Sequence, residues 1–155
     1  MPELPAYTDL RLTPELHNTI NNALADGHPM VLAVVDESGQ PRLSFRGSLQ
    51  TYSDTQLGFW LRNPQGSSFA SIRTNPKVAL IYRSATTPLL QFQGKARIAT
   101  EDAERERVFN SAPEVERKAD PDRKGQAIII DMTLIEGVLA LGPNGPVWCR
   151  MAAEI

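Results

Sequence analysis

The chain has 155 residues, 41% hydrophobic and 22% charged, with a formal net charge of −2. This is the profile of one ordinary globular domain, neither disordered nor strongly polyelectrolyte, so it argues against a nucleic-acid partner. The single cysteine, Cys149, excludes an internal disulfide, and no basic leader with an apolar core opens the sequence, which predicts a reducing cytoplasm. The longest apolar runs, such as 31–35 and 138–141, fall far short of the roughly 20 residues that cross a bilayer.

In chain order, residues 1–12 carry Pro2 and Pro5 and no clear period, which predicts an arm lying on the surface or on a partner subunit. Thr13 then offers an N-cap, Pro14 suits the first helical position and Glu15 suits the positive end of the dipole. Leu16, Ile20 and Leu24 share one face, and Gly27 closes an amphipathic helix of about 14 residues. Met30 to Val35 is a β-branched run ending in the turn Asp36-Glu37-Ser38-Gly39. A second extended stretch from Arg42 to about Tyr52 completes a hairpin.

Gln56 to Leu61 forms the third strand, and Asn63-Pro64-Gln65-Gly66 breaks it. A short helix from Ser67 to Arg73 follows, with Ser67 as its cap and Phe69 and Ile72 facing inward. Lys77 to Tyr82 reads as a buried strand, and 88–100 as a longer one. There Leu90, Phe92, Gly94, Ala96 and Ile98 alternate with Gln91, Gln93, Lys95 and Arg97.

Glu101 and Asp102 open a charged helix to about Phe109. Residues 111–125, rich in charge and carrying two prolines, predict a mobile, solvated connection with one helical turn. Gln126 to Met132 and Glu136 to Gly142 are two further strands, and Pro143-Asn144-Gly145-Pro146 turns into Val147 to Met151. Many short strands with helices only at the gaps predict a mainly β fold, an antiparallel Greek-key barrel with flanking helices.

Chemistry is sparse. His17, His28 and Cys149 have no ligand-like spacing, which argues against a metal site. Gly66-Ser67-Ser68 lacks the closing glycine of a serine nucleophile elbow. The same stretch lies between a strand and a helix and ends in two hydroxyls above free backbone N–H groups, a natural anion site. Arg46 and Arg62 are available as charge-assisted partners. The alternative is a capped helix flanked by surface arginines.

The run 57–80, Leu57-Gly58-Phe59-Trp60-Leu61-Arg62-Asn63-Pro64-Gln65-Gly66-Ser67-Ser68 and onward through Asn75-Pro76-Lys77-Val78-Ala79-Leu80, resembles the middle of pyridoxamine 5′-phosphate oxidase-like flavoproteins. Gly94-Lys95-Ala96-Arg97 before an acidic helix matches that family's next strand. The resemblance spans roughly residues 13 to 142. It implies one six-stranded split-barrel domain, a homodimer with sites at the interface, a small-molecule substrate and usually FMN, or the deazaflavin coenzyme in one branch.

By that resemblance the cofactor phosphate is held around Arg46, Gly47 and Ser48 and by Ser67 and Ser68. The ring lies along Trp60, Leu61 and Arg62, with Gln91 from the partner subunit closing the site. One departure stands out: family members commonly place a basic pair or a lysine where this chain has Ser68 and Phe69.

Three readings follow. The first is an FMN-dependent oxidoreductase whose flavin supplies the hydride chemistry. The second is a deazaflavin-dependent reductase with Arg42, Arg46, Arg73 and Lys77 lining a basic channel. The third is a cofactor-free split barrel that binds a ligand. No catalytic side chain is singled out.

Overall fold

The computed structural model describes residues 8–153. A two-residue strand β1 (Thr8–Asp9) precedes helix α1 (Pro14–Asn21), where Thr13 caps by accepting from the Leu16 amide at 3.2 Å. Strands β2 (Met30–Val35), β3 (Pro41–Arg46), β4 (Gln50–Thr51) and β5 (Gln56–Leu61) lead to helix α2 (Ser67–Thr74). Strands β6 (Lys77–Tyr82) and β7 (Leu89–Ile98) follow, then helices α3 (Asp102–Ser111) and α4 (Glu114–Lys118). The long strand β8 (Gln126–Gly142) and β9 (Gly145–Ala152) close the order.

Strand pairing makes a ring. β2 pairs with β3 and β6, β6 with β7, and β7 with β8, all antiparallel. The first half of β8 pairs with β5, from Leu61 opposite Gln126 to Gln56 opposite Asp131, and β5 pairs with β4. Because β4 continues β3 beyond a turn at Gly47 and Ser48, the six barrel strands are β2, β3–β4, β5, β8, β7 and β6. Three consecutive strands followed by a fourth that returns beside the first is the Greek-key arrangement. α2 makes the return. Beyond the barrel, the second half of β8 pairs with β9, along which β1 runs parallel. This extension and the break between β3 and β4 raise the count to nine strands from the six expected.

Alternation sorts the side chains. Leu57, Phe59 and Leu61 of β5 point into the barrel with Leu32, Leu80, Phe92, Ile128 and Ile130, while Ile20 and Ile72 from α1 and α2 join the same core. Trp60 points the other way, under α3, in a second cluster with Val108, Phe109, Ala127 and Ile129. Phe69 packs only in part against the main core, whereas Ile72 is fully buried.

Several expectations need correction. Of the N-terminal arm, residues 1–7 lie outside the described residues. The remainder is no surface arm: Leu10 and Leu12 are buried in the core, and the Leu12 amide donates to the Asp54 carbonyl at 2.7 Å. α1 stops six residues early because side chains compete with its ladder. Asn22 Nδ2 turns back onto the Asn18 carbonyl at 2.9 Å, and Asn21 Oδ1 accepts from the Thr51 amide at 2.8 Å. The cap of α2 is Gly66, with Ser67 one position inside. The two strands expected in 126–142 are one, because a bulge on β8 absorbs the irregularity: Gln93 and Gly94 of β7 pair with Leu134 and Met132, and Thr133 is the extra residue.

Residues 111–125 are anchored rather than loose. They form the one turn of α4 and then bury Asp120, which accepts from Trp60 Nε1 at 2.8 Å, the Gly125 amide at 2.8 Å and the Lys124 amide at 3.0 Å.

Candidate functional site

Where β3 bends into β4, β5 ends and α2 begins, the backbone opens a cleft of about 290 Å³. Its walls include Arg46, Gly47 and Ser48 on one side, Trp60, Leu61 and Arg62 on another, and Ser67 and Ser68 at the helix start. Eight of the nine residues expected at a site therefore converge. Gln91 does not: it sits on β7 between Ile81 and Glu136 of the neighbouring strands.

The cleft is built to receive negative charge. Gly66 caps α2 without a side-chain bond. Among the described residues nothing accepts from the amides of Ser67, Ser68 and Phe69, leaving three donors at the positive end of the helix dipole. Gly47 and Ser48 likewise present amides that no described group accepts. Arg46 Nη2 donates to Ser68 Oγ at 2.7 Å, and its guanidinium lies 5.4 Å from the centre of the Phe59 ring. Arg46 Nε is buried without a partner. Burial first, and the nearby Arg62 charge second, hold the Arg46 guanidinium below its ordinary pKa, with Glu116 pulling the other way. An arginine remains charged through such a shift, so the cleft floor carries a fixed, underused cation.

Two of the expected residues act differently from the sequence reading. Ser48 Oγ donates to the Trp60 carbonyl at 3.0 Å and accepts from the Trp60 amide at 2.9 Å. That buried hydroxyl holds the barrel seam and leaves only the Ser48 backbone for a ligand. Trp60 contributes backbone to the cleft, but its indole is fixed outside the barrel by Asp120, by an edge-on contact with Phe109 at 4.9 Å and by Arg105 at 5.0 Å over the ring. A ring lying along β5 therefore does not stack on this indole, because strand alternation turns Trp60 to the opposite face from Phe59 and Leu61.

Sequence reasoning missed Glu116. It comes from α4 and lines the same cleft, with Oε2 at 4.0 Å from Arg62 Nε. A Cβ at Gly47 would lie 2.6 Å from Glu116 Oε1, so only glycine lets the carboxylate press against the β3–β4 bend. Nothing in the spacing signalled this, because Glu116 stands among charged residues that read as solvent-facing.

The basic channel imagined for a longer acidic cofactor does not assemble. Arg42 faces Asp36 at 3.9 Å, Arg73 lies 5.8 Å from the Phe69 ring, and Lys77 borders a separate groove with Ala33, Val35 and Lys95. His17 is tied down structurally, Nδ1 meeting Thr51 Oγ1 at 2.9 Å and Nε2 meeting Asp54 Oδ1 at 2.8 Å. No helix among the described residues is long and apolar enough to cross a membrane.

The phosphate end of a flavin nucleotide fits what is present: free helix amides, an arginine with a buried unused N–H, and two hydroxyls at the helix start. The cleft lies at the lower edge of the usual size for ligand pockets, with room for a phosphate and a short part of a chain behind it. Phe45, 71% exposed, stands at its rim.

Comparison with solved structures places the fold. HupZ of Group A Streptococcus is 25% identical, with 80% of this chain and 91% of that chain covered and a TM-score of 0.58. General Stress Protein 26 of Bacillus anthracis is 20% identical, covering 88% of this chain and 98% of its own, at a TM-score of 0.61. An FMN-binding protein from Syntrophomonas wolfei is 11% identical over 78% of this chain and 84% of its own, at 0.57. No curated protein matches. The family profile described as Pyridoxamine 5'-phosphate oxidase matches residues 16–137, most of the barrel and the whole cleft wall, and the chain belongs to that family.

Proposed function

We propose that the chain binds FMN as a homodimer and serves as a flavin-dependent oxidoreductase acting on a small molecule in the cytoplasm. The observation that carries the reading is Arg46: a half-buried guanidinium whose Nε is buried without a partner, aimed with Ser68 at the free N-terminus of α2. Family membership and the FMN-binding neighbour of the same fold support it. Bound flavin supplies the hydride chemistry. The residues of this chain bind and orient: the Ser67, Ser68 and Phe69 amides and Arg46 take the phosphate, and Leu61 and Arg62 flank the chain leading to the ring.

A second subunit supplies the far wall. Leu43 and Phe45 are 74% and 71% exposed on β3, and Ile81 on β6 is 44% exposed. Val31 lies between Phe45 and Ile81, and Ala33 between Leu43 and Ala79, so these residues make one continuous apolar face. Such a face marks an interface, and it runs into the cleft through Phe45. Gln91 is the residue proposed to reach the partner's site.

The test is titration of FMN into the purified protein, followed by its absorbance and fluorescence, with Arg46→Ala alongside. Binding weakened about 10- to 100-fold in the variant is expected, the size of one lost charge-assisted hydrogen bond. No binding by the unaltered protein at about 100 μM, or equal binding by both, overturns the reading.

A further inference from the structure

We infer that Glu116 is the protein's own occupant of the anion cleft, a displaceable carboxylate on a short helical turn that competes with an incoming phosphate and sets how tightly the site holds one. The inference rests on the phosphate placement proposed above.

Three observations converge. Glu116 enters a cleft that also holds Arg46, Arg62, the Ser67 and Ser68 hydroxyls and free backbone amides, and it is the single acidic side chain there among the described residues. Its engagement is slight: the 4.0 Å approach to Arg62 Nε is its closest ion pair, and none of its oxygens takes a hydrogen bond among the described residues. It nevertheless reaches far enough in that a Cβ at position 47 would meet its Oε1 at 2.6 Å and push it aside.

The turn that carries it leaves the Glu116 side chain room to move. α4 is five residues long, has no side-chain cap and buries none of its residues. Its downstream end is fixed by Asp120 on Trp60 and on the Lys124 and Gly125 amides. The turn is held at both ends, upstream by the buried Ala112 and downstream by Asp120, so the Glu116 side chain swings on it without disturbing the barrel. A phosphate arriving at Ser67 and Ser68 places two negative charges beside the Glu116 carboxylate, and the like-charge repulsion either swings that carboxylate aside or weakens the ligand.

Two titrations test the inference. Inorganic phosphate is added to isotopically labelled protein and followed by NMR at the Gly47, Ser67 and Ser68 amides, for the unaltered chain, Glu116→Gln and Glu114→Gln. Glu114 shares α4 but pairs with Lys118 at 2.9 Å, outside the cleft. Removing the cleft carboxylate is expected to tighten phosphate binding about tenfold, the size of a close like-charge contact in a partly wet site, while Glu114→Gln stays within about twofold.

Unchanged or weaker binding in Glu116→Gln overturns the inference, as does an equal gain in Glu114→Gln. FMN titration of the same proteins keeps the two claims apart. Tighter phosphate binding without FMN binding sinks the cofactor reading and leaves Glu116 as the competitor. FMN binding with phosphate affinity indifferent to Glu116 does the reverse.

Discussion

Replacing Asp120 with alanine perturbs the link that holds the α4 segment to the barrel. The carboxylate accepts three hydrogen bonds, from the Trp60 indole and the Lys124 and Gly125 amides, and its residue is 8% exposed. Hydrogen bonds to a charged group contribute about 1.5–3 kcal/mol each, and donors left buried without partners cost on a similar scale. Water reaches the Lys124 amide, which is only partly buried, so the three do not add in full.

The expected loss is therefore about 2–4 kcal/mol, or roughly 5–15 °C in Tm for a domain of this size. Urea melts followed by the fluorescence of Trp60 measure it. A loss below about 0.5 kcal/mol refutes the claim that Asp120 is a buried anchor.

The same carboxylate makes stability depend on pH. Burial alone pushes the Asp120 carboxyl up, but the bonds from Trp60, Gly125 and Lys124 outweigh it and hold the pKa below the ordinary value. A depressed folded-state pKa gives stability that is fully present above the unfolded value, about 3.9, and is lost as pH falls through the folded one. Melts between about pH 5 and 2 should show a steeper acid loss in the unaltered chain than in Asp120→Ala. Parallel curves contradict the assignment.

Other substitutions probe the remaining structure. Ser48→Ala removes both bonds to the Trp60 backbone and should cost about 1–3 kcal/mol in a denaturant melt; a neutral result would free the hydroxyl for a ligand role. Phe45→Asp places a charge in the apolar outer face and should shift the protein from dimer to monomer in analytical ultracentrifugation, while a dimer that persists argues for a different interface. Gly47→Ala adds a Cβ 2.6 Å from Glu116 Oε1 and should displace the flexible carboxylate with little loss of Tm, shifting the NMR signals of α4. A Tm drop of roughly 10 °C would show that the backbone, not the side chain, yields.

The barrel was legible because strands advertise themselves through alternation. Gln56–Leu61 and Lys77–Tyr82 coincide with their sequence readings, and the dry face of 89–98 is the face that packs inward through Leu90, Phe92 and Ala96. The cleft was legible in its local parts, since the strand-turn-helix run around Ser67 carries its own chemistry. What escaped depends on contacts distant in sequence. Asp120 is buried because Trp60 lies beneath it, and Glu116 reaches Gly47 because α4 folds over the β3–β4 bend; neither partner is visible from a charged stretch read alone. The side that the Trp60 indole takes was hidden for a simpler reason, as β5 is covered on both faces and its apolar run does not show which way each residue turns.

The most direct measurement of the central claim is the affinity of the unaltered protein for FMN set against riboflavin, which lacks only the phosphate. The Arg46 and α2 cleft predicts FMN binding tighter by at least about tenfold, because the phosphate alone meets the charge-assisted donors. Equal affinities, or binding of neither, would contradict it.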